Sequence, residues 1–360
     1  MKERPGSLVV SIIVPIHHAA DTFTLCLVSL LPAVSYPHEL IVVADGPAPE
    51  LTHLARQCRV KVVQLAQAGG PARARNRGAA EAKGDILLFI DSDVLVPPDI
   101  IKHVVAEFER DTSLTALIGS YDSKPTAPNF LSQYRNLLHH YTHQNSAIDI
   151  KTFWAGCGAV RCQPFRAVGG FNEAYTQPAI EDIELGYRLT AAGYAIRIVK
   201  SLQVTHLKTW RLYTMLSTDF WQRALPWTRL LLHQPQFENN LNIDTRGRIS
   251  VALFYLVLLL LPLLYFWPII GVAAAGILLL LLGVNQHFYH FLYKERGLLF
   301  ATTAVPYHWL YFGYSGLAFV LGNLQNYFQV ITQRRALKTG PSMRLSDKYR
   351  RISLGEKSAR

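Results

Sequence analysis

The sequence predicts an α/β fold in its N-terminal part and membrane helices in its C-terminal part. Short apolar runs such as SLVVSIIVP (7–15) and ELIVVA (39–44) alternate with segments of helical spacing such as TFTLCLVSLL (22–31). This alternation is typical of a mainly parallel sheet that is buried on both faces. From Ile249 to Val284 the chain carries no charge over 36 residues, a length that fits two helices crossing a bilayer.

Polar residues follow three of the predicted strands. Further apolar runs at 61–65 and 86–90 add strands to the same sheet. The strand ends carry Pro15 to His18, Asp45 to Pro47 and Asp91 to Asp93. Because ligands of open α/β sheets bind outside the carboxyl ends of the strands, we expect the functional site at this edge.

The segment AGGPARARNRGAAEAKGD (68–85) predicts an anion-binding helix start. Two glycines free the backbone, Pro71 suits the first helical position, and Arg73, Arg75 and Arg77 bring guanidinium groups near the first turn. The segment contains no G-x-x-x-x-G-K-[ST] sequence, and AGCGAVR (155–161) has Arg161 where a dinucleotide motif needs a third glycine. A P-loop NTPase and a dinucleotide oxidoreductase are therefore disfavoured.

Asp91 and Asp93 are separated by one residue at a strand end. In extended backbone, residues i and i+2 point the same way, so the two carboxylates can converge on one point. Two oxygen donors with room for water and a diphosphate suit a hard divalent ion, Mg²⁺ or Mn²⁺. The alternative is a pair of turn and cap residues, because VPPD follows immediately.

The segment PAIEDIELGYRLTAAGYAI (178–196) predicts a helix with acidic first turns. Pro178 precedes it, Glu181, Asp182 and Glu184 lie near its start, and Gly193 follows its end. A carboxylate near a helix N-terminus is stabilised as the anion by about 0.3–1 kcal/mol, which leaves it ready to accept a proton. The alternative is that these acids only complement the helix dipole.

Five motifs occur in one order along the chain: SIIVPIHHAADTFTLCLVSLL, VVADG, GGPARARNRGAAEAKGDILLFIDSDV, VGGFNE and EDIELGYRLTAAGY. Together they resemble family-2 glycosyltransferases with the GT-A fold, a Rossmann-like and mainly parallel sheet, over residues 7–205. The resemblance implies an enzyme that moves a sugar from a nucleotide-diphosphate donor to an acceptor and inverts the anomeric centre.

The resemblance also implies roles on the donor side of the site. It makes Asp93 the principal metal ligand, and it places Asp91 at the donor ribose or the metal. The other implied donor-binding residues are Pro15, Asp45 in the nucleobase pocket, and Arg75 near the phosphates. His18 and Ala44 depart from the family pattern in that pocket, so the base, uracil or guanine, stays open.

On the acceptor side, the resemblance makes Asp182 the general base and Glu181 the residue that orients it. It places Phe153, Trp154 and Gly156 under the acceptor, although a core role for Trp154 is the alternative. His206 follows the strand-like run SLQVT; it either completes the metal site, meets the phosphate, or is a solvated strand-end residue.

Residues 206–248 predict an amphipathic interface segment. Tyr213, Leu216, Phe220, Ala224, Trp227 and Leu231 recur at steps of three and four. Such a helix, rich in Trp and Arg, fits the membrane interface, and packing on the globular domain is the alternative. The sequence RALPW (223–227) keeps only the Trp of the Q-x-x-R-W motif of processive synthases, which weakens a processive function.

Three stretches predict membrane spans, at 249–267, 269–285 and 298–322, and a basic tail follows at 323–360. No secretory signal precedes them, so residues 1–205 are expected in the cytoplasm. Residues 334–360 carry nine Lys or Arg against Asp347 and Glu356, and such a tail favours the cytoplasmic side. Three full spans would place it outside, so either one stretch is re-entrant or interfacial, which we favour, or the charge rule does not hold here.

The combined expectation is a multi-pass membrane enzyme with a cytoplasmic catalytic domain. The four cysteines have spacings that argue against zinc and disulfides, and no nucleic-acid recognition motif accompanies the net charge of +11. The expected partners are a nucleotide-sugar donor, a lipid-linked or membrane-embedded hydroxyl acceptor, and the membrane. The alternatives are a processive polysaccharide synthase, a polyprenyl-phosphate glycosyltransferase, and an inactive nucleotide-sugar-binding scaffold.

Overall fold

A computed structural model of the chain describes residues 8–17, 20–232 and 244–339. His18 and most of the predicted basic tail lie outside these residues. The described strands are β1 Val10–Ile16, β2 Glu39–Ala44, β3 Lys61–Gln64, β4 Ile86–Ile90, β5 Val94–Leu95, β6 Leu114–Tyr121, β7 Asp149–Ile150, β8 Cys157–Arg161 and β9 Ala195–His206.

The described helices alternate with the strands in the first part of the chain, and further helices follow β9. They are α1 Ala20–Leu30, α2 Pro49–Gln57, α3 Pro71–Glu81, α4 Ile100–Arg110, α5 Phe130–Asn145, α6 Cys162–Ala167, α7 Glu181–Ala191, α8 Leu212–Ser217, α9 Leu225–Leu232, α10 Thr245–Leu260, α11 Ile270–Val284, α12 Gln286–Arg296 and α13 Leu298–Thr339. A π-helical stretch, Thr218–Ala224, joins α8 to α9, and a 3-10 turn, Leu261–Tyr265, extends α10.

The strands form one sheet in the order β3-β2-β1-β4-β8-β6-β9-β5, with β7 beside β9. β1, β2, β3 and β4 are parallel, as the alternation of strands and helices predicts. The second half is mixed, because β8 runs antiparallel to both β4 and β6, and β5 runs antiparallel to β9. Apolar runs identify strands but do not encode their direction, which explains why the sequence predicted a mainly parallel sheet.

The sheet is buried on both faces, as expected for strands that are continuous apolar runs. One face packs against α1, α2 and α4 through a core that includes Phe23, Leu51 and Phe108. The other face packs against α3, α6 and α7 and includes Phe89 and Phe171. These two layers hold the strand ends rigidly at the edge where the polar residues lie.

The register of the antiparallel strands positions the polar edge. Ile90 pairs with Cys157, which brings Gly156 beside Asp91, and the Asp91 N–H donates to Gly156 O over 3.2 Å. Val94 pairs with His206, which brings the end of β9 beside Asp93. Residues far apart in sequence therefore meet at one point of the sheet.

The predicted amphipathic segment forms α8, the π-helical stretch and α9, and much of it packs on protein. Trp227 is buried with Ile180 and Tyr187 of the globular domain, and its Nε1 donates to Tyr187 Oη over 3.3 Å. Tyr213 and Trp221 remain exposed. The alternative interpretation, packing on the globular domain, therefore describes the α9 half of the segment.

The described helices do not support three membrane spans. The helix over Thr245–Tyr265 is long and apolar enough to cross a bilayer. α11 and α12 pass the same criterion only as a pair bent by 63°. α13, which contains the predicted span 298–322, does not qualify among the residues that the structure covers. One helix, or two if the bent pair counts, is long and apolar enough to cross a bilayer, so the multi-pass arrangement that the hydropathy pattern predicted is not supported.

A buried ionic cluster joins the globular domain to α13. Asp219, in the π-helical stretch, accepts hydrogen bonds from Arg135 (2.7 Å), Arg223 (3.1 Å) and Tyr314 Oη (2.7 Å). Burial pushes the pKa of Asp219 up, but Arg135 and Arg223 outweigh it and hold the pKa below its ordinary value. The carboxylate thus stays charged at neutral pH.

Replacing Asp219 by Asn is expected to lower the free energy of unfolding by about 3 kcal/mol, because Arg135 would keep a buried charge without its counter-ion. Thermal or denaturant unfolding of the full chain in detergent measures this change. Asp99→Asn, at an exposed position, is the matched control and should unfold like the unsubstituted protein. Equal stability of the two variants would contradict a structural role for Asp219.

Candidate active site

The candidate site lies at the carboxyl ends of β1, β2 and β4 and is closed by β8, β9 and the start of α7. Pro15 lies near the end of β1, and Asp45 follows β2, where its N–H donates to Ile16 O over 2.7 Å. His17 Nδ1 lies 2.7 Å from Asp45 O. These residues are neighbours, as the predicted donor side requires.

The carboxylate of Asp45 holds the loop that begins α3. Its Oδ1 accepts from Gly69 N over 2.7 Å, and its Oδ2 accepts from Gly70 N over 2.9 Å. Asp45 is buried. Both oxygens therefore position the loop, and contact of Asp45 with a nucleobase stays a prediction.

Arg75 connects the end of β4, where Asp91 lies, to the start of α7, where Glu181 lies. From α3, its Nη2 donates to Asp91 Oδ1 over 2.7 Å and its Nη1 donates to Glu181 Oε1 over 2.8 Å. Burial alone would lower the pKa of Arg75, but Asp91, Glu181 and Asp182 raise it, so the guanidinium stays charged. Its two outer nitrogens thus lock protein carboxylates together, a role that the sequence did not predict.

Exchanging Arg75 for Lys is expected to destabilise the fold by about 3 kcal/mol, because one ammonium cannot bond two carboxylates that a planar fork spans. Arg77→Lys, on the exposed side of the same helix, provides the comparison, since Arg77 pairs only with Glu81 on the surface. Chemical unfolding of both variants measures the difference. Indistinguishable midpoints would mean that the bridge does not stabilise the protein.

Asp93 faces His206 across the sheet edge. Asp93 Oδ2 lies 3.8 Å from His206 Nε2, and the Asp93 carbonyl accepts from Leu207 N over 2.8 Å. Burial would raise the pKa of Asp93, but His206 and Lys208 outweigh it and hold the pKa below its ordinary value. Asp93 therefore presents an ionised carboxylate.

The side chains around Asp93 fit a divalent ion that the protein binds through few ligands. Among the described residues, no group of three or more His, Cys, Asp or Glu side chains comes together as a complete metal cage. Mg²⁺ and similar ions are commonly held by one or two carboxylates together with substrate phosphates. Asp93 and His206 supply that minimum, whereas Asp91 already has one oxygen bonded to Arg75.

Asp182 lies at the N-terminus of α7, with properties of a general base. Its Oδ2 accepts from Ala155 N over 3.1 Å, and its Oδ1 accepts from Ile183 N over 2.8 Å. Burial and the neighbouring Glu181 raise its pKa to about 7, against Arg75 and the two N–H donors. A carboxylate that titrates near neutral pH is matched to proton transfer.

Gly186, in α7, allows this helix to lie close to residues 152–155, the segment whose Ala155 N–H binds Asp182. A Cβ on Gly186 would lie 2.3 Å from Phe153 N, closer than non-bonded atoms pack. Glycine at this position therefore brings the start of α7 to Ala155. Glu181, bonded to Arg75 and to Ala179 N (2.9 Å), fixes the same turn.

Of the predicted acceptor residues, Phe153 lies in the core and Trp154 is half-buried. The side chain of Phe153 is 1% exposed and packs with Phe89 and Phe171. The aromatic run FWAG does not reveal which ring faces inward, and contact of this segment with an acceptor stays a prediction. Trp154 is half-buried beside Tyr121 (ring centroids 4.8 Å apart), and Gly156 lies against the Trp154 ring.

Comparison with protein families identifies the fold and the chain's relatives. Residues 11–169 match the family described as glycosyl transferase family 2. Over this segment, which is less than half of the chain and includes Asp91 and Asp93, the chain resembles that family. Residues 135–211 also match a family described as the N-terminal domain of galactosyltransferase, which overlaps the segment from α5 to Trp210.

Curated relatives of the chain are identical to it at about a quarter of the aligned positions. A pre-mycofactocin glycosyltransferase of Mycobacterium tuberculosis is 26% identical over 220 residues, 56% of this chain and 43% of that protein. The succinoglycan biosynthesis protein ExoA of Rhizobium meliloti is 25% identical over 225 residues, 59% of this chain and 66% of that protein. The match to the mycobacterial relative thus spans less than half of that relative's length.

A solved structure shows the same fold. The mannosyltransferase PcManGT from Pyrobaculum calidifontis, in complex with GDP-Man and Mn²⁺, superposes with a TM-score of 0.53 and 14% identity. The superposition covers 90% of this chain and 88% of that one. At this identity the likeness concerns the fold alone.

The structure also shows residues at the site that the sequence patterns did not identify. Tyr121 stacks on His206 with ring centroids 4.2 Å apart, and His139 and His143 of α5 lie behind it. The i, i+4 spacing of the two histidines placed them on one helix face, and Tyr121 ends a strand. The sequence contains both features, but neither shows that these side chains lie beside the candidate site.

Proposed function

We propose that the chain is a divalent-metal-dependent, inverting glycosyltransferase that acts on a hydroxyl acceptor presented at a membrane. The observation that carries the proposal is the bridge from Asp91 through Arg75 to Glu181, beside Asp182. It joins the carboxylates on the donor side to those on the acceptor side in one rigid network. Two reactants held by such a network react within a fixed geometry.

The transfer is a single displacement. The acceptor hydroxyl attacks the anomeric carbon from the face opposite the diphosphate, the bond from that carbon to the diphosphate oxygen breaks, and Asp182 takes the hydroxyl proton. A divalent ion held by Asp93 and His206 would neutralise the charge that grows on the leaving diphosphate. The leaving group then needs no proton donor, which is why one base suffices.

A base near neutral pH supports a hydroxyl acceptor over a polyprenyl phosphate. A phosphate oxygen is already anionic and needs no base, whereas a hydroxyl must lose its proton as it attacks. The pKa of Asp182, about 7, suits that task. The exposed apolar helices and a relative named for succinoglycan biosynthesis support an acceptor of the cell envelope that is lipid-linked or embedded in the membrane.

The decisive experiment incubates purified full-length protein with labelled UDP- and GDP-sugars and a total membrane lipid extract, with Mn²⁺ or Mg²⁺. Because the neighbouring mannosyltransferase binds GDP-Man and Mn²⁺, GDP-mannose belongs in the panel. Mass analysis should show lipid products heavier by one sugar, and none with EDTA. A ladder of products would support a processive synthase, whereas no product and no donor hydrolysis with any sugar would support a binding scaffold.

A further inference from the structure

The helices α10 and α11 form an antiparallel hairpin whose open ends lie side by side. Asn285, just after α11, donates from Nδ2 to Ser250 Oγ over 2.9 Å and to Leu281 O over 3.0 Å. Ser250 lies near the start of α10, and both polar side chains are buried. The chain therefore leaves the hairpin at the level where it enters.

The hairpin projects from the molecule as an apolar arm. Leu259 and Leu279, near the middle of the two arms, are 70% and 68% exposed, and Tyr265 at the closed end is 86% exposed. The helix over Thr245–Tyr265 is about 31 Å long at 1.5 Å per residue, close to the thickness of a bilayer's hydrocarbon core. Arg246 and Arg248 lie at the open end, where lipid headgroups would meet them.

Helix α13 is attached to the catalytic domain at two distant points. Ala304 packs with Tyr134 and other residues of α5 in a buried cluster. Gln325 Oε1 accepts from Arg229 Nε of α9 over 3.0 Å, and α9 is fixed to the domain through Trp227. The helix runs about 31 Å between Ala304 and Gln325. A helix that crossed a bilayer would carry one of these attachments to the far side.

The middle of α13 contacts α10 in the half of the hairpin nearer its open end. Tyr255 Oη donates to Gly313 O over 2.7 Å. A Cβ on Gly316 would lie 2.3 Å from the Tyr255 ring and 2.9 Å from Val251, so glycine permits the close approach. These contacts extend along α10 from Val251 to Tyr255, which lies at the midpoint of the Thr245–Tyr265 helix. Helix α13 thus passes the half of the hairpin nearer its open end, and Tyr255 lies about 15 Å along the helix from Tyr265 at the closed end.

We infer that α10 and α11 enter a lipid bilayer as a hairpin anchor, while α13 stays at the membrane surface on the side of the catalytic domain. The inference rests on the membrane location proposed above. It identifies 298–322 as the interfacial one of the three apolar stretches. Both ends of the hairpin lie on the side of the catalytic domain, so the basic residues of the tail share that side, in agreement with the charge rule.

Cysteine labelling tests the side of α13. Cys58 and Cys162, which are half-buried, are first replaced by Ser, while Cys26 and Cys157 are buried and stay. Single cysteines are then placed at the exposed positions Lys102, Lys294 and Gln329, and membrane vesicles of known orientation are treated with an impermeant maleimide. Lys294→Cys and Gln329→Cys flank 298–322, and both should react from the same side as Lys102→Cys. Reaction of Gln329→Cys from the opposite side alone would overturn the inference.

Arginine substitution tests the anchor. Leu259→Arg together with Leu279→Arg should move the protein from the alkali-resistant membrane fraction to the soluble or peripheral fraction, because both charges would lie within the hydrocarbon. Leu25→Arg, at a half-exposed position of α1, should leave the fractionation unchanged. A doubly substituted protein that stays alkali-resistant would overturn the hairpin anchor. If the unsubstituted protein were recovered as soluble, the proposed membrane location would be overturned instead. Neither result would change sugar transfer to a soluble acceptor.

Discussion

Replacing Asp182 by Asn is expected to lower the rate of sugar transfer by about 10²–10⁴-fold, with little change in donor binding. Asn keeps the shape of the side chain but cannot accept the proton of an attacking hydroxyl. Asp182 bonds Ala155 N and Ile183 N, whereas Asp93 and His206 are the candidate residues for the metal and the donor diphosphate. A fall in kcat with an unchanged Kd for the nucleotide sugar is therefore the expected pattern.

The same residue sets the expected pH dependence. The pKa of Asp182 lies at about 7, and the ionised form is the active one. The value of kcat/KM should therefore rise as the pH increases from about 6 to about 8 and then level off, because this parameter reports the free enzyme. The Asn variant should lose this acidic limb. With a polyprenyl-phosphate acceptor the profile would not depend on Asp182, so the Asn variant and the unsubstituted protein would give the same one.

Glu184→Gln provides the matched control for Asp182→Asn. Glu184 lies in the same first turns of α7, but its carboxylate pairs with Arg188 and not with Arg75. Its substitution should leave the transfer rate and the pH profile close to those of the unsubstituted protein. If Asp182→Asn transferred sugar as fast as Glu184→Gln, Asp182 would not be the base.

The features that can be predicted from the sequence follow from local patterns of residues. Apolar runs predicted the strands β1 to β4, and the acidic residues at the end of β4 predicted the edge of the site. Pro71 and the residues before it predicted the start of α3, which the structure places at Pro71. These features depend on residues close together in sequence, where spacing alone carries the information.

The remaining features depend on pairing between distant segments. The sequence suggested that Arg75 meets phosphates, but two carboxylates, one 16 and one 106 residues away, take its outer nitrogens. The hydropathy of 298–322 suggested a membrane span. Apolar residues that face lipid and apolar residues that pack on another helix have the same hydropathy, so composition alone does not separate the two. The direction of β8 and the inward-facing ring of Phe153 are likewise set by the register of the sheet.

Substitution of Asp93 by Asn is expected to reduce transfer by about 10³-fold or more at saturating donor, because electrostatic stabilisation of a leaving diphosphate is a large part of such catalysis. Asp93 is the candidate ligand with both carboxylate oxygens free of arginine, whereas Asp91 shares one oxygen with Arg75. The weaker Mn²⁺ binding of the variant can be followed by electron paramagnetic resonance in the presence of a nucleoside diphosphate.

The contrast between the two aspartates decides the assignment. Asp91→Asn should weaken the bridge to Arg75 and lower stability, yet retain more Mn²⁺ binding than Asp93→Asn, because Asp93 and His206 remain. Asp99→Asn, exposed and just beyond the site, should bind Mn²⁺ and transfer sugar normally. An Asp93→Asn protein with unchanged Mn²⁺ affinity and an unchanged rate would mean that the ion is held elsewhere. Reversed affinities would make Asp91 the principal ligand and the arginine bridge a feature of the metal-free protein alone.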